Sequence, residues 1–169
     1  MAGEAVLGAE LVTPEAALFA GEATAVITAT SEGDLTILPG HTAIVGDIVS
    51  SVVRIELPDG TTERFAVHGG FMQVATGVGS AAGLLDPATD GDRTTRVTLL
   101  AGIAEHVQSI DVTRAEAARE VAQARLAATA GRDDDEDDRL GREQAEASLV
   151  RATLRLQAAA EAAPGRVSA

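Results

Sequence analysis

The chain has no cysteine among its 169 residues, so neither a disulfide framework nor a thiolate metal site is available to it. Aromatic residues are nearly absent as well: three phenylalanines, no tryptophan and no tyrosine. Base stacking, sugar platforms and aromatic cages are therefore poorly supplied. Basic residues are outnumbered, 13 against 26 acids, and the net charge of −13 repels both a nucleic-acid backbone and an anionic lipid surface. No apolar run approaches the length of a membrane span, and the N-terminus lacks the basic-then-apolar order of a signal peptide. A soluble cytoplasmic chain whose large-surface partners are proteins is the expectation.

What is present is a 46% hydrophobic composition, enough for a core. The organising stretch is Ser31 to His41, SEGDLTILPGH. Glu32-Gly33-Asp34 carries the chemistry of a reversal with one positive φ, and Pro39-Gly40 stops the short strand that follows it. One strand end is thus held between two loops, a shape suited to the rim of a β-sandwich. Strand signals also run over Ala9–Thr13, Glu22–Thr30, Ala43–Val45 and Ser51–Leu57. The turn Pro58-Asp59-Gly60 joins the last of these to Thr61–Val67 as the clearest hairpin. His68-Gly69-Gly70 reads as a break, followed by strands at Phe71–Thr76 and Arg96–Ala101, with 77–95 as a mobile surface insertion between them.

The period changes at Asp111. Alanine, arginine, glutamate and leucine dominate from there, which predicts one helix from Val112 to Ala130, ended by Gly131, and a second from Arg139 to Ala162. A stripe of Ala145, Leu149, Ala152, Leu156 and Ala159, widened by Leu140 and Leu154, is the expected buried face of the second. The acidic run within 131–138 reads as a solvated connector. The fold class is an all-β antiparallel sandwich over 1–104 followed by an antiparallel α-helical hairpin over 105–169. An alanine-lined hairpin buries little area per residue, so it is expected to dock weakly on the sandwich.

Metal chemistry finds no support, because His41, His68 and His106 lie far apart without HxH or HxxxH spacing. The acidic connector lacks the glycine and terminal glutamate of a calcium loop. Gly69-Gly70 does not follow a phosphate-loop pattern and fits close strand packing instead. Asp111 is an N-cap candidate whether or not a ligand binds beside it, and Arg151 and Arg155 are either solvated, paired to nearby acids, or free for an anion.

SEGDLTILPGH, RFAVHGGF and IDVTRA, in this order across a sandwich and a helical hairpin, resemble the epsilon subunit of the F-type ATP synthase. Leu11–Glu15, Leu18–Glu22 and Ala104-Glu105-His106 before Ile110-Asp111 are similar to the same family. The resemblance implies a non-catalytic central-stalk subunit, peripheral on the cytoplasmic face of the cell membrane and without insertion into it. Its implied partners are gamma, the c-ring and, through an extended hairpin, alpha and beta. It further implies a role in coupling the catalytic sector to the c-ring and in restraining ATP hydrolysis. By position, Glu32, Gly33, Asp34, Pro39, Gly40 and His41 would face the c-ring. No cofactor is required. A regulatory ATP on the folded hairpin would involve Glu105, Ile110, Asp111, Arg114, Ala115, Arg151 and Arg155, while Val121 stands where nucleotide-binding members carry an arginine. The rival readings are a stand-alone β-sandwich interaction module and a small β-sandwich hydrolase. Against the hydrolase, the sequence carries no nucleophile elbow, metal spacing or paired-carboxylate motif.

Overall fold

A computed structural model describes residues 5–79, 85–86, 93–129 and 136–162, and divides the chain into two units, Met1–His106 and Val107–Ala169. Among the described residues the first unit holds nine strands. They are β1 (Leu7–Val12), β2 (Ala17–Ala23), β3 (Ala25–Thr30), β4 (Gly33–Ile37), β5 (Ile44–Glu56), β6 (Thr62–Gly79), β7 (Leu85–Asp86), β8 (Arg93–Ala101) and β9 (Ala104–His106). Their order is β2-β1-β8-β6-β5-β3-β4, with β7 and β9 also paired to β6.

Among the described residues all pairings are antiparallel except one: β1 runs parallel to β8, so the sheet is mixed rather than purely antiparallel. The exception has a topological cause, since the first strand of the unit lies beside one of its last and no hairpin joins them.

The long strands β5 and β6 let this open sheet fold over a single core. In β6 the residues that join the core cluster are Phe65 and Val67 before the glycine pair but Met72 and Val74 after it, and β5 changes face likewise between Ile48 and Val53. Each strand therefore feeds one core from two stretches of opposite parity. That core also gathers Leu7, Leu11, Val26, Ile37, Ile55, Val97 and Leu99.

The strand does not break at His68-Gly69-Gly70, as the sequence had suggested. Gly69 takes φ +96 and absorbs the change of face, while the β5 ladder pairs Ile48 with Gly70 and Ser50 with His68 on either side. At Gly70 a Cβ would lie 2.1 Å from the Leu100 carbonyl oxygen, so only glycine lets β6 and β8 approach this closely. The stretch 77–95 is strand at both ends, through Gly79 and from Arg93, with Thr95 buried. Residues 80–84 and 87–92 lie outside the described residues. The hairpin at Pro58-Asp59-Gly60 forms as expected: Gly60 has φ +83, Glu56 pairs with Thr62, and the Asp59 carboxylate accepts from the Thr61 N–H and hydroxyl.

The second unit opens with a 3₁₀ turn, Val107–Ser109, followed by α1 (Val112–Thr129) and α2 (Glu136–Ala162). α1 buries Ala115 and Ala122, with Leu126 and Thr129 half-buried along the same stripe. α2 buries Ala145, Ala152, Leu154 and Ala158; Leu149, Leu156 and Ala159 are half-buried and Leu140 is exposed. An Arg142 guanidinium N–H donates to the Thr129 carbonyl at 3.0 Å, while the 3₁₀ turn before α1 contacts α2, an antiparallel arrangement. α2 begins three residues earlier than the sequence had suggested. Glu136, Asp137 and Asp138 form its first turn, where the positive end of the helix dipole stabilises the charges that were expected to oppose helix. The expected stop at Gly131 and the connector residues before Glu136 lie outside the described residues.

Candidate functional site

Two places gather the residues singled out in the sequence, one in each unit. In the first unit, Thr30 pairs with Gly33 across a corner made by Ser31 and Glu32. The Thr30 hydroxyl donates to the Gly33 carbonyl at 2.9 Å, and Gly33 itself takes φ +127. Asp47, sixteen residues away on β5, grips this corner with both carboxylate oxygens, accepting from the Ser31 N–H and hydroxyl at 3.0 Å each.

The second turn is Leu38-Pro39-Gly40-His41. The His41 N–H donates to the Leu38 carbonyl at 3.0 Å and Gly40 has φ +85, the geometry in which proline and glycine occupy the two central positions of a type II turn. Two threonines fasten it to the sheet: the Gly40 N–H donates to Thr95 Oγ1 at 2.7 Å, and the Thr76 hydroxyl donates to the His41 carbonyl at 2.7 Å. His41 Nδ1 lies 2.8 Å from the Thr42 carbonyl. Glu32, Gly33, Asp34 and Gly40 are exposed, whereas Pro39 and His41 are half-buried. A cavity of about 540 Å³ opens beside the first turn, lined by residues 30–35 together with Ile44, Val45, Gly46, Asp47 and Met72. The rim is rigid, acidic and stereochemically committed to its glycines.

In the second unit, Asp111 caps α1. Its carboxylate accepts from the Arg114 N–H at 3.0 Å while its carbonyl accepts from the Ala115 N–H at 3.0 Å. Ala115 is buried in the helix seam and Arg114 is exposed. A groove of about 360 Å³ runs beside them, with Ala117, Ala118, Val121 and Ala122 as its floor and Arg114, Arg125, Ala145 and Ser148 around it. Arg151 is half-buried on α2 and donates to the hydroxyl of the groove residue Ser148 at 3.0 Å, without itself lining the groove. Arg155 is half-buried on the same helix and is not among the groove-lining residues. The Ile110 N–H bonds to the Val107 carbonyl at 3.3 Å, closing the 3₁₀ turn.

Glu105 falls in the first unit instead, on β9 opposite Ala66, with one carboxylate oxygen 3.9 Å from Nε2 of a His68 side chain that is 2% exposed. His106 and Glu63 form a second such pair at 2.5 Å, against the edge of the Phe65 ring. Among the described residues no cluster of three or more His, Asp or Glu is placed to hold a metal ion, and no helix is long and apolar enough to cross a membrane.

Sequence reasoning missed the braces Asp47, Thr76 and Thr95, which act across 16 to 55 residues of chain. It also missed Arg125 and Ser148. The i, i+4, i+7, i+11 spacing of Arg114, Ala118, Val121 and Arg125 was the available signal for a shared helix face.

The family profile described as ATP synthase, Delta/Epsilon chain, beta-sandwich domain matches residues 7–78, and its companion long alpha-helix domain matches 108–160. The ATP synthase epsilon chain of Thermobifida fusca is 39% identical over 161 residues, covering 94% of this chain and 96% of its own. That of Streptomyces griseus is 37% identical over 128 residues, covering 76% and 89%. A chain in the mitochondrial ATP synthase structure of Euglena gracilis shares the fold at TM-score 0.66 and 21% identity, covering 92% of this chain and 82% of that one. With the profiles meeting both units and the relatives spanning both, the chain belongs to the ATP synthase delta/epsilon family, with the epsilon chains of F-type ATP synthases.

Proposed function

We propose that this chain is a non-catalytic subunit of the central stalk, joining gamma to the c-ring and restraining ATP hydrolysis through its helix pair. The observation that carries the reading is the 39% identity to an epsilon chain running through both units. The rim geometry supports the coupling part. Two turns fixed by side chains from β5, β6 and β8 present Glu32 and Asp34 at the surface, and such acids fix register against basic loops of the c-ring. The helical part supports the regulatory role, because a seam built mainly of alanine holds two helices with little energy, and small biases then shift its population. In its extended arrangement this pair reaches alpha and beta; in its closed arrangement it takes up ATP along the Asp111 to Ala115 segment with Arg114 and Arg151. The complex sits peripherally on the cytoplasmic face of the membrane.

Co-purification of the tagged full chain from its own membranes tests this. Recovery of gamma and the c-ring is expected from the wild type, with c-ring recovery reduced in the Glu32→Lys, Asp34→Lys double variant while gamma is retained. Reproducible absence of both from a well-solubilised wild-type preparation overturns the proposal. Calorimetry with ATP, wild type against Arg114→Ala, tests the nucleotide part.

A further inference from the structure

Val121 stands at the position where the resemblance calls for an arginine, yet the groove beside it does not lack a cation. Arg125 is one helical turn further along the same face and lines the same groove. Arg114 and Arg125, eleven residues and roughly 16 Å of helix apart, bracket a floor of Ala117, Ala118, Val121 and Ala122. Both arginines are exposed, and neither guanidinium is in an ion pair with a carboxylate of the described residues. Val121 is itself 53% exposed, an apolar side chain left at the surface between them.

In a chain of net charge −13, a groove with two arginines on its lining and no acid is a local reversal of sign. Its chemistry suits a ligand with a flat apolar part and several anionic groups at one end. The alanine and valine floor accepts the ring, and a guanidinium fork accepts phosphate oxygens. From α2, Arg151 donates to the hydroxyl of Ser148, itself a lining residue of the groove.

We infer that Arg125 is a phosphate-binding residue of this groove, supplying from one turn further on the cation missing at Val121, with a purine nucleoside triphosphate as the ligand. The inference rests on the reading of the helix pair as a nucleotide-binding element. Arg125 contacts the distal phosphates and the ring lies over the floor toward Arg114, so the arginine discriminates triphosphate from monophosphate.

The test is calorimetric titration of the full chain with ATP and with AMP, in the wild type, Arg125→Gln, Arg114→Ala, and Arg125→Gln combined with Val121→Arg, with helix content followed by circular dichroism. Arg125→Gln is expected to weaken ATP about tenfold, the loss of one charge-assisted contact, and to leave AMP within about twofold. Val121→Arg in that background is expected to recover most of the ATP affinity, which a merely structural arginine would not allow. Wild-type ATP affinity in Arg125→Gln, alongside a loss in Arg114→Ala, overturns the role of Arg125 and leaves the nucleotide reading standing. No ATP binding by the wild-type chain overturns both.

Discussion

Replacing Gly70 by alanine is the most severe small change the sandwich offers. The added Cβ would sit 2.1 Å from the Leu100 carbonyl oxygen and 3.0 Å from both the Leu100 carbonyl carbon and the Ala101 Cα. To bring the first of these to 3.0 Å, β6 and β8 must separate by about 1 Å where Gly70 pairs with Ala101. All three obstacles are backbone, so no side chain can rotate away. Overpacking where side chains can yield costs about 1–3 kcal/mol, and a backbone obstacle puts this site at the upper end, about 3 kcal/mol. For a unit of this size each kcal/mol moves the melting temperature by about 4–8 °C, so a fall of about 12–24 °C is expected by calorimetry. Gly102→Ala is the control, since an added Cβ there meets nothing within 4 Å and the residue is exposed; its change should stay within about 0.5 kcal/mol. A Gly70→Ala protein melting within about 2 °C of the wild type refutes the claim that this close approach excludes a side chain.

The Thr28 hydroxyl is buried without a partner among the described residues, so Thr28→Val should stabilise by about 1 kcal/mol in urea unfolding, whereas Thr95→Val, which removes the acceptor for the Gly40 N–H, should destabilise by a similar amount. Asp47→Ala frees the Ser31 corner, and faster amide exchange at Ser31 with little change in global stability is the expected signature. Asp59 accepts from the Thr61 hydroxyl and then from the Thr61 N–H, and these bonds lower its pKa below 3.8. A depressed native pKa contributes stability above pH 3.8 that disappears as pH falls through the lowered value. Asp59→Asn should therefore melt below the wild type at neutral pH, with the difference closing under about pH 4.

Features built by neighbours in sequence were the legible ones. Glycine at 33, 40 and 60 takes the positive φ that the turn chemistry demands, and Asp111 caps its helix as its position before Val112 predicts. What escaped the sequence depends on distance along the chain. His68-Gly69-Gly70 has the composition of a break, but β5 holds both sides of it in register while β9 pairs before it and β8 after it, so the same glycines serve a bend. β2, reading ALFAGEA, is mostly exposed and has no alternation to detect; it exists because β1 pairs along it. The acids of 136–138 repel one another, yet a helix terminus repays that repulsion, and no composition rule weighs the two. At the sites, the rim turns were readable but their braces were not. The first turn of α1 was readable, whereas the groove needed α2 alongside it to exist at all.

These differences bear on what each unit can do. The rim turns are over-determined: backbone conformation, a carboxylate grip and two threonine bonds each specify the same shape, so the surface they present does not depend on a partner. The helix pair is specified in the opposite way. Each helix satisfies its own backbone and carries its own terminal signals, Asp111 before α1 and three acids opening α2. The helix pair buries five alanines, each methyl contributing about 0.8 kcal/mol, and one leucine, Leu154, contributing about 1.5–3 kcal/mol. Separation therefore exposes five methyls and a single leucine and breaks the Arg142 to Thr129 hydrogen bond. A ligand that touches α1 through Arg125 and α2 through Ser148 binds only the closed pair, so at a hundredfold excess over its dissociation constant it adds about 2.7 kcal/mol to closure. That is comparable to burying three of the pair's alanine methyls, so under the proposed nucleotide reading a weak seam, rather than a strong one, would make the pair responsive to the ligand.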